Sequence, residues 1–371
     1  TFTRQAATEM RSRLARFDLD GRPVIGTFHA IARRLMLQFL EDRNRRIPVI
    51  VNNRSSLMSS CMGDDAKSGG IYDVLTAVDW AHAHMITPSK AAEKLAEAGL
   101  KIPLGARRFT EVFEQYERTK KKRGVIDLND FMTSVIQEAK KDPRFIESIR
   151  FQYRHISVDE AQDMNPLQYE FLKVLVPNAA DLFLVGDPNQ AIYGFNGANK
   201  TLFDELPGFH AGAHVVSLPS NYRCTPEIVQ MAVDTLAKDG QIADAQSKRL
   251  SGQVVRLERC ADDAAELKLI TKLVQRAENG QRTWNDIAVL VRINTLVESI
   301  RKELSAAGIP LRSSRSGGAW ARAVGAATAL TGRDELNAWA ADVLDTGEYS
   351  AEDADYQIAK YLRQFLDEHR S

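Results

Sequence analysis

Ile156-Ser157-Val158-Asp159-Glu160-Ala161-Gln162-Asp163 decides the reading of this chain. A short apolar strand runs into two adjacent carboxylates and a polar turn. The stretch that follows sets Leu167, Phe171, Leu172 and Leu175 on one face of a helix. Asp159 and Glu160 therefore fall at the carboxyl end of the strand. In open α/β sheets ligands bind at that edge, because loops there surround a phosphate while the strands hold position. Such a pair suits a site that presents magnesium and water to a nucleotide. The ordinary alternative is a strand ending in solvated acids, so the rest of the chain has to decide.

The 371 residues allow two or three domains with sizeable cores, and 44% hydrophobic with 26% charged content is that of a globular chain, not a disordered one. The 49 basic and 49 acidic residues cancel. A nucleic-acid contact must then rely on local patches such as Lys120-Lys121-Lys122-Arg123 rather than on a global field. Cys61, Cys224 and Cys260 are odd in number, far apart and without CxxC or Cys/His spacing. That argues against a disulfide framework, a zinc site or an iron–sulfur cluster. No apolar run approaches a membrane span and no signal peptide is visible, so a reducing cytoplasm is expected. The first residue is Thr1, not Met, which suggests a piece of something longer.

Outward from the acidic strand, periodicity predicts strand then helix over residues 1–16, and a second strand over 24–28 followed by a helix over 30–40. From about residue 43 to 118 the pattern is helical, broken by Pro48, Gly63, Gly69-Gly70, Pro88 and Pro103, with a strand only at 49–51. Alternation resumes with a helix over 128–140 and strands at 182–185 and 215–218. Then come a helix over 226–236, a strand near 254–257, a helix over 264–277, a strand over 287–291 and a helix over 296–307. Two α/β cores with a helical insertion in the first is the economical architecture. Beyond Arg312 the chain is Ala-rich and reads as helical.

Two further stretches carry chemistry. In Leu184-Val185-Gly186-Asp187-Pro188-Asn189-Gln190-Ala191-Ile192-Tyr193-Gly194-Phe195-Asn196-Gly197-Ala198 a strand enters a polar, glycine-bearing loop. Gln190 is a neutral donor and acceptor, suited to orienting water or sensing a γ-phosphate. Tyr193 and Phe195 could stack on bases, although core packing is the ordinary fate of such aromatics. In Ser217-Leu218-Pro219-Ser220-Asn221-Tyr222-Arg223 an aromatic ring stands beside a guanidinium. Arg223 could stabilise charge on a transferred phosphoryl group and Tyr222 could pack on adenine. A surface salt bridge is the plain alternative for the arginine.

Together these stretches resemble the superfamily 1 DNA helicases of the UvrD/Rep type. TFTRQAATEMRSRL resembles that family's motif Ia, GTFHAIARRLM motif Ib, VDEAQDMNPLQYEFL motif II, VGDPNQAIYGFNGA motif III and LPSNYRCTPEIV motif IV. GVIDLNDFM resembles the stretch preceding motif II, and IAVLVRINTLVESIRKELSAAGIPLR the opening of the second motor domain. The matches keep family order from residue 1 to about 312. The resemblance implies an α/β fold with RecA-like P-loop NTPase cores built on parallel sheet. The first core would comprise residues 1–40 and 119–213, with a helical insertion at 41–118. An incomplete second core would cover 214–312, leaving 313–371 unassigned.

It also implies ATP and Mg²⁺ as cofactors, with single-stranded DNA, DNA junctions and repair or replication proteins as partners. Asp159 would hold Mg²⁺, and Glu160 would orient or deprotonate the attacking water. Gln190 would link the γ-phosphate to the DNA track, with Tyr222 facing the base and Arg223 the γ-phosphate. Phe28, His29, Tyr193 and Phe195 would line a single-strand groove, and Thr3 and Thr27 would donate to DNA phosphates. These roles fit phosphoryl transfer, which needs positioning, a metal and positive charge more than a covalent nucleophile.

The sequence departs from the family in places. No GxxxxGK[ST] phosphate loop occurs, nothing after Arg312 resembles motifs V and VI, and Asn196 stands where arginine is usual. The expected activity is an ATP-dependent helicase or translocase running 3′ to 5′, with this stretch inactive alone. Two alternatives stay open, an ATP-independent DNA-binding or regulatory remnant and the motor of a helicase–nuclease complex.

Overall fold

A computed structural model describes residues 1–17, 23–51, 53–68, 70–176, 181–194, 197–199, 201–203, 205, 212–279, 282–293, 295–311, 336, 339–341, 343–344 and 354–368. The chain divides into two compact units, Thr1–Ser217 and Leu218–Leu336, with short C-terminal segments distributed between them.

In the first unit the order is α1 (Arg4–Leu14), α2 (Phe28–Asp42), β1 (Val49–Ile50), α3 (Arg54–Met62), α4 (Ile71–Ala83), α5 (Pro88–Glu97) and α6 (Ala106–Arg123). Then follow β2 (Val125–Ile126), α7 (Leu128–Lys141), α8 (Pro143–Gln152), β3 (His155–Val158), α9 (Pro166–Leu175) and β4 (Asp181–Leu184). Thr3 and Thr27 have extended backbones and cap α1 and α2, their hydroxyls accepting the amides of Ala6 and Ala30 at 3.1 and 3.3 Å.

Two apolar cores form here. Helices α2, α7 and α9 bury Phe39, Phe131, Val135, Phe171 and Leu172 in one. Helices α3 to α6 bury Met58, Val78, Leu95, Phe109, Phe113 and Tyr116 in the other. Each large apolar side chain removed from water contributes about 1.5 to 3 kcal/mol. The face of α9 expected from the sequence is the buried one, with Leu167, Phe171, Leu172 and Leu175 all inside.

All three strand pairs among the described residues are parallel. β1 pairs with β2, and β3 with β4 in the register Ile156↔Leu182 and Val158↔Leu184. The β3–β4 ladder continues beyond the strands. Val185 N donates to Val158 O, and Ala161 N to Val185 O, each at 2.9 Å. The turn bearing Asp159 and Glu160 is thereby fastened to the end of β4.

Where α6 passes into α7, a cluster of buried charges replaces apolar packing. Lys120, 3% exposed, donates to Asp127 at 3.2 Å and to Asp130 at 2.9 Å, and lies 3.0 Å from Glu117. Arg54 reaches Asp79 at 2.6 Å, and the Tyr116 hydroxyl donates to Asp127 at 2.9 Å. Burial opposes the charge on Lys120, but the carboxylates of Asp127, Asp130 and Glu117 outweigh it and raise its pKa. Asp130 is held above its usual range by burial and by Asp127. The four-residue basic patch expected at 120–123 therefore loses its first member to the interior.

The second unit contains β5 (Ser220–Asn221), α10 (Pro226–Lys238), β6 (Gln246–Ser247), α11 (Asp263–Ala277) and α12 (Thr295–Ala306). β5 pairs with β6, and α11 packs on α12 around Val274, Leu304 and Ile309. The C-terminal helix α13 (Ala354–Glu368) is described, while most of the Ala-rich segment after Arg312 lies outside the described residues.

Several expected strands are corrected. Residues 1–3, 24–28, 215–218, 254–257 and 287–291 join no ladder among the described residues. Thr3 and Thr27 serve as helix caps, and Phe28 opens α2. Val216, Leu218, Leu257 and Leu290 are 77, 83, 91 and 92% exposed, so these side chains find no apolar cover among the described residues. Apolar alternation reports a capacity for strand, whereas a ladder needs a neighbour about 4.8 Å away.

Candidate functional site

Asp159 and Glu160 follow β3 directly, and the loop from Gly186 to Gln190 follows β4, so the parallel pair sets both at one carboxyl edge. Asp159 is half-buried and Glu160 exposed. Glu160 has φ 56° and ψ 43°, in the left-handed region that a non-glycine residue adopts at a cost of about 1 to 2 kcal/mol. That reversal turns the chain at once into the short 3₁₀ turn Ala161–Asp163.

The two segments are joined through Gln162, which is 1% exposed. Its Nε2 donates to Glu160 Oε2 at 2.8 Å, and its Oε1 accepts the Asp187 amide at 3.0 Å. Asp187 in turn receives the Asn189 amide at 2.9 Å and Gln190 Nε2 at 2.8 Å. Asp163 is 5% exposed and its Oδ1 has no hydrogen-bond partner among the described residues. Burial, and then the nearby Glu160, raise its pKa. An acid turn and a glutamine loop, locked together, can present carboxylate and amide groups to a phosphate and its metal.

The residues expected to meet DNA are placed unequally. Thr3 is exposed and Thr27 buried, each at the head of its helix. Phe28 is 9% exposed and packs in the α2–α7–α9 core, which gives it a packing role here. His29 is half-buried with Nε2 2.8 Å from Asn129 Oδ1. Tyr193 is half-buried against Phe2. Phe195 and Asn196 lie outside the described residues.

In the second unit, Tyr222 is 75% exposed and Arg223 is also exposed, on the turn after β5. Asn221 Oδ1 accepts the amides of Arg223 and Cys224 at 3.0 and 2.8 Å, an Asx turn that fixes the backbone beneath both side chains.

Sequence reading left Gln162, Gly186, Asp187 and Phe2 without roles. Gln162 stood inside the deciding stretch, and a neutral amide set among three acids at a polar turn was the signal available.

Residues 1–209, more than half of the chain, match the family model for the UvrD/REP helicase N-terminal domain. The chain belongs to the UvrD/Rep helicase family. Residues 216–322 of this UvrD-like chain match the UvrD-like helicase C-terminal domain. It is similar to the ATP-dependent DNA helicase UvrD2 of Mycobacterium tuberculosis, at 31% identity over 336 residues, covering 83% of this chain and 47% of that protein. The ATP-dependent DNA helicase UvrD1 of the same organism is 26% identical, covering 84% and 42%. The ATP-dependent DNA helicase srs2 of Schizosaccharomyces pombe is 25% identical, covering 84% and 38%. The chain thus spans about half the length, or less, of these curated relatives. Helicases of this family use ATP with a divalent metal. No described helix is long and apolar enough to cross a membrane.

Proposed function

We propose that this chain is the motor portion of an ATP-dependent helicase that translocates 3′ to 5′ on single-stranded DNA, in repair, recombination or replication. The observation that carries the reading is the acid turn at 159–160 locked to the Gln190 loop at one edge of a parallel strand pair. In this reading residues 1–40 and 119–213 form the first RecA-like core, 41–118 a helical insertion, and 214–312 the start of a second core.

The residues present fit the implied cofactors. Mg²⁺ at phosphate sites is held by one or two carboxylates together with the phosphates and water. Asp159, half-buried at the end of β3, would supply such a carboxylate. When bound, ATP would supply the phosphoryl group and the metal would offset the negative charge on it. Glu160 orients or deprotonates the attacking water. Gln190, held by Asp187, senses the γ-phosphate. Tyr222 and Arg223, exposed on their fixed turn, face the base and the γ-phosphate. His29 and Tyr193 contribute to the single-strand path, and Phe195 belongs to it in this reading, while Thr3 stands exposed at a helix N-terminus, where phosphates are favoured. Without a GxxxxGK[ST] stretch, the 371-residue chain alone hydrolyses little ATP.

The test is strand displacement by the full-length protein on partial duplexes with a 3′ or a 5′ single-stranded tail. ATP-dependent displacement confined to the 3′-tailed duplex supports the reading. DNA binding without hydrolysis would favour the ATP-independent alternative.

A further inference from the structure

We infer that Gln162 is a positioning residue that holds the Glu160 carboxylate and ties it to the loop carrying Asp187 and Gln190. The inference rests on the proposed role of Glu160 and adds the device that sets its geometry.

Both ends of the Gln162 amide are used, and each end meets a different segment. Nε2 donates to Glu160 Oε2 at 2.8 Å while Oε1 accepts from Asp187 N at 3.0 Å. The Gln162 side chain is 1% exposed, so its amide has little water to turn to in place of these two partners. Gly186 makes the second bond feasible. A Cβ there would lie 2.7 Å from Gln162 Oε1, 3.1 Å from Gln162 N and 2.7 Å from the Phe203 ring. Only a residue without a side chain lets the loop come this close. From Asp187 the path continues through its carboxylate to Gln190 Nε2 at 2.8 Å.

Glu160 itself is exposed and projects from a left-handed backbone, so its carboxylate would otherwise sample several rotamers. One buried amide removes that freedom. A displacement of the Gln190 loop that pulls on Asp187 N is transmitted to Glu160 by the same amide. The residue therefore links the group that faces the water to the group that faces the γ-phosphate.

The first experiment uses this chain without nucleotide. With ¹⁵N-labelled aspartate, the Asp187 backbone amide resonance is compared across a cycle of Glu160→Gln, Gln162→Met and the double variant. The expected result is a shift at Asp187 caused by Glu160→Gln that vanishes when position 162 carries Met. An Asp187 resonance indifferent to Glu160→Gln, or one that responds equally in both backgrounds, overturns the linkage. The second experiment is steady-state ATP hydrolysis by the full-length protein. Gln162→Met, and Gln162→Glu, which keeps the acceptor but loses the donor, should lower kcat about 10- to 100-fold with KM for ATP and the thermal midpoint held. An unchanged kcat, or a loss that only tracks the thermal midpoint, overturns the positioning role. If the unsubstituted protein hydrolyses no ATP, the nucleotide reading fails while the resonance cycle still decides the linkage.

Discussion

The ring of Tyr193 lies against the ring of Phe2, centroids 4.9 Å apart and planes inclined by 37°. Two aromatics from distant parts of the sequence thus form one tilted surface near the head of α1. If that surface takes bases, Tyr193→Ala should weaken binding of a labelled oligothymidine by about 1 to 3 kcal/mol, with Phe2→Ala acting in the same direction. Fluorescence anisotropy at one fixed salt concentration measures it. Unchanged affinity with lowered stability would assign the pair to packing.

Glu160→Gln keeps size and removes the charge. In the full-length protein it should lower DNA-stimulated hydrolysis by about 10²- to 10⁴-fold while nucleotide binding persists, the range expected for a lost general base. Phosphate release and fluorescent-nucleotide titration read the two separately. Preserved turnover would remove Glu160 from that role.

The position of the acid turn was legible in the sequence, and the reason is local. Asp159 and Glu160 follow an apolar strand, and the strand, the turn and the apolar face of α9 all arise within a few residues of one another. The strands expected at 215–218, 254–257 and 287–291 depended on neighbours that a single segment cannot specify, and they form no ladder. The charge cluster was invisible for a related reason. Arg54, Asp79 and Asp127 are far apart in sequence, and Lys120 sits in a run of basic residues that reads as solvated. Gln162 lay in plain view, but only the approach of Gly186 gives its amide two partners.

Lys120 supplies the positive centre among three carboxylates, and at 3% exposure water cannot replace it. Lys120→Met should cost about 3 kcal/mol, because Asp127 and the half-buried Asp130 would lose their closest counter-charge, with Arg54 left 3.8 Å from Asp127. Lys121→Met, at an exposed neighbour, should stay within about 0.5 kcal/mol. Urea unfolding of the two variants checks the contrast, and equal midpoints would show that the cluster adds nothing.

The Glu227 carboxylate accepts the Ser251 hydroxyl and the Gly252 amide, the latter at 3.0 to 3.1 Å. The Ser251 bond first, and then the Gly252 bond, lower its pKa from 4.5 to about 2. A depressed folded value means that the tie is fully present above the ordinary pKa and lost as pH falls through the folded one. The Gly252 amide resonance should therefore hold steady down to about pH 4.5 and titrate with a midpoint near 2, a response that Glu227→Gln abolishes. A midpoint near 4.5 would show that the segment is not anchored this way.

The left-handed backbone at Glu160 has a practical corollary. Glycine adopts that conformation without penalty, so Glu160→Gly would relieve local strain of about 1 kcal/mol, roughly offsetting the entropy glycine adds to the unfolded chain. A β-branched residue there would meet the opposite fate. Position 160 thus offers a way to test the proposed role of its carboxylate in a well-folded molecule. Loss of function there could then be told apart from loss of fold, which a substitution in the buried core never allows.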